Sequence, residues 1–128
     1  AGVTGGNNTA IGNDALTDNT SGVDNTGCGV AALFDNTTGV HNAAFGKDAL
    51  RENITGSYNT AIGSSAMNSC GNGTQNTAVG YSTLFTNTAN GNTAVGFSVL
   101  RANTSGSGYS GFGSNAEARG HVQRRKSF

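Results

Sequence analysis

The sequence repeats a short motif at an almost fixed interval, and this period constrains the fold more than any other feature. The motif is Asn-Thr-Ala-apolar-Gly, and its copies begin at Asn8, Asn25, Asn42, Asn59, Asn76, Asn92 and Tyr109. Every interval is 17 residues except the 16 between Asn76 and Asn92. Gly5 fits the pattern as part of an earlier copy, so the chain enters partway through a repeat, as expected of a fragment or a processed product.

Equivalent positions of the repeat form columns of similar residues. The apolar column holds Ile11, Cys28, Phe45, Ile62, Val79, Val95 and Phe112. The small column, one residue earlier, holds Ala10, Gly27, Ala44, Ala61, Ala78, Ala94 and Gly111. The leucine column, five residues after the apolar one, holds Leu16, Leu33, Leu50, Met67, Leu84, Leu100 and finally Glu117. Glycine follows the apolar residue in every copy, which marks one corner of the repeat.

A period of 17 residues favours a β-solenoid over a helical repeat. Helical repeats need about 33 residues or more, and glycine interrupts each segment before a long helix could form. Glycine and asparagine also supply the positive φ angles of tight corners. We therefore predict an all-β protein, a parallel β-solenoid or β-roll of about seven coils over residues 1–118, with two short strands per coil. Neighbouring coils would pair in register about 4.8 Å apart. Residues 119–128 would form a basic tail or connection.

Strand alternation indicates which columns share a face. Successive side chains of a strand point to opposite sides, so the small column faces away from the apolar column. We predict that the apolar and leucine columns fill a narrow core. The small column would then suit the close approach of another backbone, which predicts a side-by-side homo-oligomer with this column as the subunit interface. The alternative is a thin monomeric solenoid with the small column in solvent.

Two of the repeats carry a family resemblance. Residues 59–63 and 92–96 read Asn-Thr-Ala-Ile-Gly and Asn-Thr-Ala-Val-Gly. They resemble the YadA-like head repeats of trimeric autotransporter adhesins, and the array is similar to those of phage and viral tail-fibre proteins. The resemblance covers nearly all of residues 2–118. It implies a homotrimer with the small column at the threefold axis, exposed outside a cell or virion.

On that resemblance, we expect a non-enzymatic structural or adhesive fibre segment that spaces or presents a face binding a host or another surface. Its partners would be itself and a surface glycan or protein receptor. Exposed aromatic rings anchor interfaces, so the candidate contact residues are Phe34, Tyr58, Tyr81, Phe85 and Phe97. The alternative role for these rings is to cover the core.

Two other functions fit the same repeat. Sheet edges at both ends of a solenoid invite another chain, which predicts a head-to-tail filament as an alternative. The acidic N-terminal end of one subunit would meet the basic C-terminal end of the next. The third hypothesis is ice binding by the threonine column, which comprises Thr9, Thr26, Ala43, Thr60, Thr77, Thr93 and Ser110. Ala43 and Ser110 interrupt that column, so we rank this hypothesis below the others.

No residue pattern indicates catalysis, a cofactor or a metal. The two histidines, His41 and His121, lie far apart along the predicted rod, and His41 occupies a turn position, so we expect no enzyme. Aspartates crowd the first three coils, but their spacing does not match a calcium loop, and we expect solvated turn carboxylates. The net charge of zero gives no basic field for nucleic acid. No stretch approaches the roughly 20 apolar residues that span a membrane.

The cysteines and the glycosylation sequons both fall in repeat register. Cys28 lies in the apolar column and is expected to be a small buried residue. Cys70 lies in a turn at least two coils away, so an intrachain disulfide is not expected, and cross-linking between subunits is the alternative. Sequons begin at Asn19, Asn36, Asn53 and Asn103. Their shared register predicts asparagine side chains that bond the backbone and one another along the stack.

Overall fold

The computed structural model describes residues 5–117, which contain seven parallel strands and no helix. The strands are β1 (Thr9–Ile11), β2 (Thr26–Cys28), β3 (Ala43–Phe45), β4 (Thr60–Ile62), β5 (Thr77–Val79), β6 (Thr93–Phe97) and β7 (Ser110–Ser114). They form one sheet in chain order, and each strand pairs with the next at equivalent repeat positions. The predicted all-β parallel solenoid and its register are confirmed, with about six turns. The predicted basic tail and His121 lie outside the described residues.

Each coil contains one strand, so the predicted second strand around the leucine column is wrong. This side of the coil still bonds to its neighbours, since the Leu33 amide donates to the Ala49 carbonyl at 3.0 Å and the Ala31 amide to that of Asn13 at 2.9 Å. However, Ala31 and Leu33 have φ angles of 56° and 54°, in the left-handed region. Extended strand geometry is incompatible with those angles. The backbone therefore turns through this side instead of running straight.

From Leu16 to Leu100 the leucine column adopts left-handed φ angles, which bulky residues normally avoid. The φ angles run from 47° at Leu84 to 54° at Leu33. A left-handed backbone conformation costs about 1–2 kcal/mol of conformational free energy per residue. Leu33, Leu50, Met67 and Leu84 are completely buried. Burial of such a side chain contributes about 1.5–3 kcal/mol, which offsets the backbone cost. The leucine column is therefore in the core, as predicted.

The inward face of the sheet carries the small column and not the apolar column. Ala44, Ala61, Ala78 and Ala94 have no exposed surface. A Cβ atom at Gly27 would lie 3.5 Å from Leu16 Cγ. The leucine column thus fills the interior from the opposite side and leaves room only for alanine or glycine, so the predicted core position of the apolar column is wrong.

This arrangement also removes the predicted subunit interface. Six of the seven residues of the small column are buried within the coil, where they cannot contact a second subunit: Gly27, Ala44, Ala61, Ala78, Ala94 and Gly111. Ala10, in the first described coil, is exposed. The assignment of the interface to the small column is therefore wrong at every buried position. The outward side chains of the same strands belong to the threonine and apolar columns.

Two ladders of asparagines, all buried except the half-buried Asn8, run along the corners of the coils. The strand ladder comprises Asn8, Asn25, Asn42, Asn59, Asn76 and Asn92, and the turn ladder comprises Asn19, Asn36, Asn53, Asn87 and Asn103. In the turn ladder, Asn36 Nδ2 donates to Asn19 Oδ1 at 2.7 Å and to the Gly39 carbonyl at 3.2 Å. Buried backbone groups need hydrogen-bond partners. The asparagine side-chain amides are such partners for the buried carbonyl groups of the turns. The predicted bonding of asparagines along the stack is confirmed.

Candidate functional site

The outer sheet face, formed by the threonine and apolar columns, is a regular and largely apolar surface. The apolar column points away from the core, and its exposed members range from 36% for Val95 to 60% for Ile11. Cys28 and Val79 are half-buried in the same column. Neither column contains a charged residue. Bulky side chains at each strand therefore form a continuous apolar ladder beside a row of hydroxyl groups.

Two of the predicted contact residues extend the outer sheet face. Strand β6 continues to Phe97, so Phe97 lies on the same side of the sheet as Val95. Tyr81, at the equivalent position of the preceding coil, stacks on Phe97 with 5.3 Å between ring centroids and 17° between planes. Both rings are half exposed. The apolar surface is thus widest in the C-terminal half of the solenoid.

Two other predicted contact residues lie beyond the leucine column and are partly covered. The Arg51 guanidinium lies 5.4 Å from the centroid of the Phe34 ring, and the Arg101 guanidinium lies 4.9 Å from that of Phe85. These are cation–π distances, so each ring already has a partner from the next coil. Phe34 and Phe85 accordingly present less free ring surface than the pair on the outer sheet face.

Tyr58, the fifth predicted contact residue, lies at the turn that precedes each strand. Its ring is 58% exposed and stacks on His41, with 5.1 Å between centroids. His41 Nδ1 lies 3.7 Å from Asp24 Oδ2 in the adjacent coil. The five predicted contact residues therefore occupy three different positions of the coil, and the structure does not gather them into one site.

The two free cysteines have opposite environments. Cys28 lies on the outer sheet face, which corrects the expectation that it is buried in the core. Cys70 takes the place of an asparagine in the turn ladder and has no exposed surface. Burial raises the pKa of the Cys70 thiol to about 12. Cys70 therefore cannot cross-link subunits while the coil is folded, whereas Cys28 is positioned toward any partner that covers the sheet.

The sequon asparagines are not available for glycosylation in the folded coil. Asn19, Asn36 and Asn53 are completely buried, and Asn103 is 8% exposed. Their amides donate to ladder partners, as Asn53 Nδ2 does to Asn36 Oδ1 at 2.8 Å. Attachment of a glycan would require the coil to open and the ladder to break.

Two further features, a metal site and a membrane-spanning helix, were sought among the described residues. Within residues 5–117, no group of three or more histidine, cysteine, aspartate or glutamate side chains is placed to hold a metal ion. The same part of the chain has no helix long and apolar enough to cross a membrane. The surface features of the solenoid itself are therefore the basis for assigning a function.

Comparisons with known proteins give no further guide to function. No family model, no curated protein and no solved structure matches the chain.

The outer sheet face was not predicted from the sequence, because alternation alone does not identify the inner side of a strand. A usable signal was present, since a small residue opposite every leucine indicates a core too narrow for two bulky columns.

Proposed function

We propose that the chain is a non-enzymatic structural segment of an extracellular fibre, in which copies pack side by side through the outer sheet face. The observation that carries this proposal is the exposed apolar ladder, which a single chain leaves in water. Burial of apolar surface contributes about 25 cal/mol per Å². Large contiguous apolar patches on soluble proteins mark interaction sites, and this one runs through all seven strands.

A second copy of the chain is the partner that fits this face. The apolar side chains recur at the strand spacing of about 4.8 Å, and a copy repeats with the same spacing. Because neither column is charged, two such faces do not repel each other. A partner with an irregular surface would match only part of the ladder. Side-by-side packing of identical solenoids therefore covers more apolar residues than any unrelated surface would.

The number of copies in the proposal rests on the resemblance to trimeric adhesins and tail fibres. Three copies would place the apolar column at a shared threefold axis. That position was assigned to the small column from the sequence. Tyr58, Phe34 and Phe85 belong to other positions of the coil and would stay on the outside. Tyr58, the most exposed of them, is the residue through which such a fibre would contact a surface glycan or protein receptor.

The decisive experiment places a charge on the outer sheet face. Ile62 is 43% exposed in the apolar column, and Ile54 is 47% exposed at a turn elsewhere on the coil. We expect the wild-type chain and Ile54→Arg to give one discrete oligomer by light scattering after size exclusion. Ile62→Arg should be monomeric with an unchanged circular dichroism spectrum. A wild-type monomer at all concentrations, or an intact Ile62→Arg oligomer, would contradict the proposal.

Cys28 provides an independent test of parallel packing. In a parallel assembly with equivalent strands at one level, identical residues of the apolar column meet. Oxidation with diamide should then join two Cys28 thiols in a disulfide, visible as a dimer on a non-reducing gel. Cys28→Ser should abolish the dimer and Cys70→Ser should retain it, because Cys70 is buried. A dimer that persists without Cys28 would count against this packing.

Ice binding, ranked third from the sequence, is a further candidate because it would use the same face. The threonine column lies beside the apolar column on the exposed side of the sheet. Phe45 and Phe112 project from that side and make it uneven, which favours packing against a chain over matching a flat ice lattice. Thermal hysteresis from a monomeric wild-type chain would support ice binding and contradict side-by-side assembly.

A further inference from the structure

We infer that the solenoid has a hinge at one corner, where the turns of the fourth and fifth coils separate without unfolding of the stack. These turns are residues 70–73 and 87–89. All of their residues lie within the described part of the chain, and no hydrogen bond joins one turn to the other. The other neighbouring turns, from the first coil to the sixth, are joined at this corner. The inference does not depend on side-by-side packing.

Backbone and side-chain groups both join the turns of the second and third coils. The Thr37 and Thr38 amides donate to the Ile54 carbonyl at 2.9 Å and 3.2 Å. The Thr37 hydroxyl donates to the same oxygen at 2.9 Å. In the turn ladder, Asn53 Nδ2 donates to Asn36 Oδ1 at 2.8 Å. These hydrogen bonds hold the corner between the two coils closed.

The fourth and fifth coils depart from this pattern in three ways. Gly71 replaces the threonine or isoleucine of the other turns, and with φ of 56° its amide donates back to the Glu52 carbonyl of the third coil at 3.1 Å. Cys70 has no side-chain oxygen to accept a bond from Asn87, whose Nδ2 donates within its own turn to the Ala89 carbonyl at 2.9 Å. The fifth coil also lacks one residue, in the turn that follows Asn87. The donors and acceptors that close the other corners are therefore missing from this one.

The remaining sides of the same two coils stay joined. Strands β4 and β5 pair along their whole length. The Asn76 amide donates to Asn59 Oδ1 at 3.0 Å, and the Met67 amide donates to the Thr83 carbonyl at 2.9 Å. Proteins open locally where a segment has few hydrogen bonds, at a lower free energy than global unfolding requires. Opening of the untethered corner against intact strand pairing therefore bends the rod at this junction.

Native-state hydrogen exchange measured by NMR tests the hinge, because equivalent backbone amides lie beside each corner. The Asp35 amide donates to the Arg51 carbonyl at 2.9 Å beside the closed corner, and the Ser69 amide donates to the Phe85 carbonyl at 2.8 Å beside the open one. We expect the protection factor of the Ser69 amide to be about tenfold lower than that of the Asp35 amide, since each missing hydrogen bond shifts an opening equilibrium about fivefold. Equal protection factors in the wild type would overturn the inference.

Cys70→Asn should close the hinge, because its side-chain oxygen would accept a bond from Asn87 Nδ2. We expect this variant to raise the protection factor of Ser69 about fivefold relative to that of Asp35. Cys28→Ser, on the outer sheet face, is the control and should leave the ratio of the two protection factors unchanged. An equal rise at Ser69 and Asp35 in Cys70→Asn would mean that both amides exchange through global unfolding, and the hinge would be refuted. The wild-type comparison decides by itself where the variant does not fold.

Discussion

The sulfur atom of Cys70 lies 3.4 Å from the side-chain oxygen of Asn53, at a position of the turn ladder that otherwise holds asparagine. An asparagine at this position makes two donations, as Asn36 does to Asn19 Oδ1 and to the Gly39 carbonyl. A thiol has one weak donor. The turn ladder is therefore interrupted in the fourth coil, in the middle of the stack.

Completing the turn ladder should stabilise the protein. A Cys70→Asn amide would donate to Asn53 Oδ1 and to the Gly73 carbonyl, by analogy with Asn36. One additional buried hydrogen bond contributes about 1 kcal/mol, which corresponds to a rise in Tm of about 4 °C. Cys70→Ala, which removes the thiol donor and leaves a small cavity, should lower Tm. Thermal melts followed by circular dichroism check both variants, and a Cys70→Asn variant that melts below the wild type would refute the ladder argument.

The glycine after each apolar residue is required by stacking as well as by its backbone angle. Gly63 has φ of 130°, and a Cβ atom there would lie 2.6 Å from the Gly80 carbonyl oxygen. Gly113 has φ of 118° in the last described coil, and its Cβ would meet no atom of residues 5–117 within 4 Å. We expect Gly63→Ala to unfold the chain or to cost several kcal/mol, about 2 kcal/mol more than Gly113→Ala. Equal losses in urea denaturation would show that the φ angle alone demands glycine.

The fold was predictable because every coil repeats the same environment. The 17-residue period fixed the register of Thr9 against Thr26, and the recurring asparagines pointed to ladders along the stack. The inner face was not predictable from alternation, which groups Thr9 with Ile11 but does not place them inside or outside. Available volume decides that question, since Leu16 reaches to within 3.5 Å of a Cβ at Gly27.

The backbone around the leucine column was also beyond sequence reasoning. Leucine disfavours a left-handed φ angle, so nothing in the residue type at Leu50 predicts its value of 51°. Complete burial of the side chain outweighs that preference. The wrong assignment of the inner face also misplaced the candidate interaction surface. Ile62 and the other apolar-column residues are the exposed members of the strands, whereas Ala61 lies in the core.

Asp35 should make stability depend on pH in the acidic range. Burial raises its pKa above the ordinary value of 3.8; Asp18 and Glu52 add to the shift, and Arg51 opposes it. Between 3.8 and the raised pKa, the folded state holds the proton that the unfolded state has released. The stability associated with that proton is therefore lost as pH rises through the folded pKa.

Asp35→Asn removes this carboxylate and should raise Tm at pH 7, with a gain in Tm that shrinks as pH falls through the raised pKa toward 3.8. Because Asp35 is only partly buried, solvent screening keeps the gain to a fraction of a kcal/mol. Glu117→Gln, which changes an exposed carboxylate, is the control and should change Tm little. Calorimetry at pH 7 and pH 3 measures the difference in Tm between Asp35→Asn and the wild type. A difference at pH 3 as large as that at pH 7 would argue against the raised pKa of Asp35.

The buried thiol of Cys70 should weaken the fold at alkaline pH. Burial raises its pKa from 9.0 to about 12, so the unfolded chain releases the proton first as pH increases. Stability from this group is complete below pH 9.0 and is lost progressively toward pH 12. We expect the Tm advantage of the wild type over Cys70→Ala at pH 7 to narrow by pH 11, because only the wild type carries the thiol. Cys28→Ala keeps Cys70, so its Tm should fall between pH 7 and pH 11 by as much as that of the wild type. If Tm fell equally in all three proteins, a buried, protonated thiol at Cys70 would be excluded.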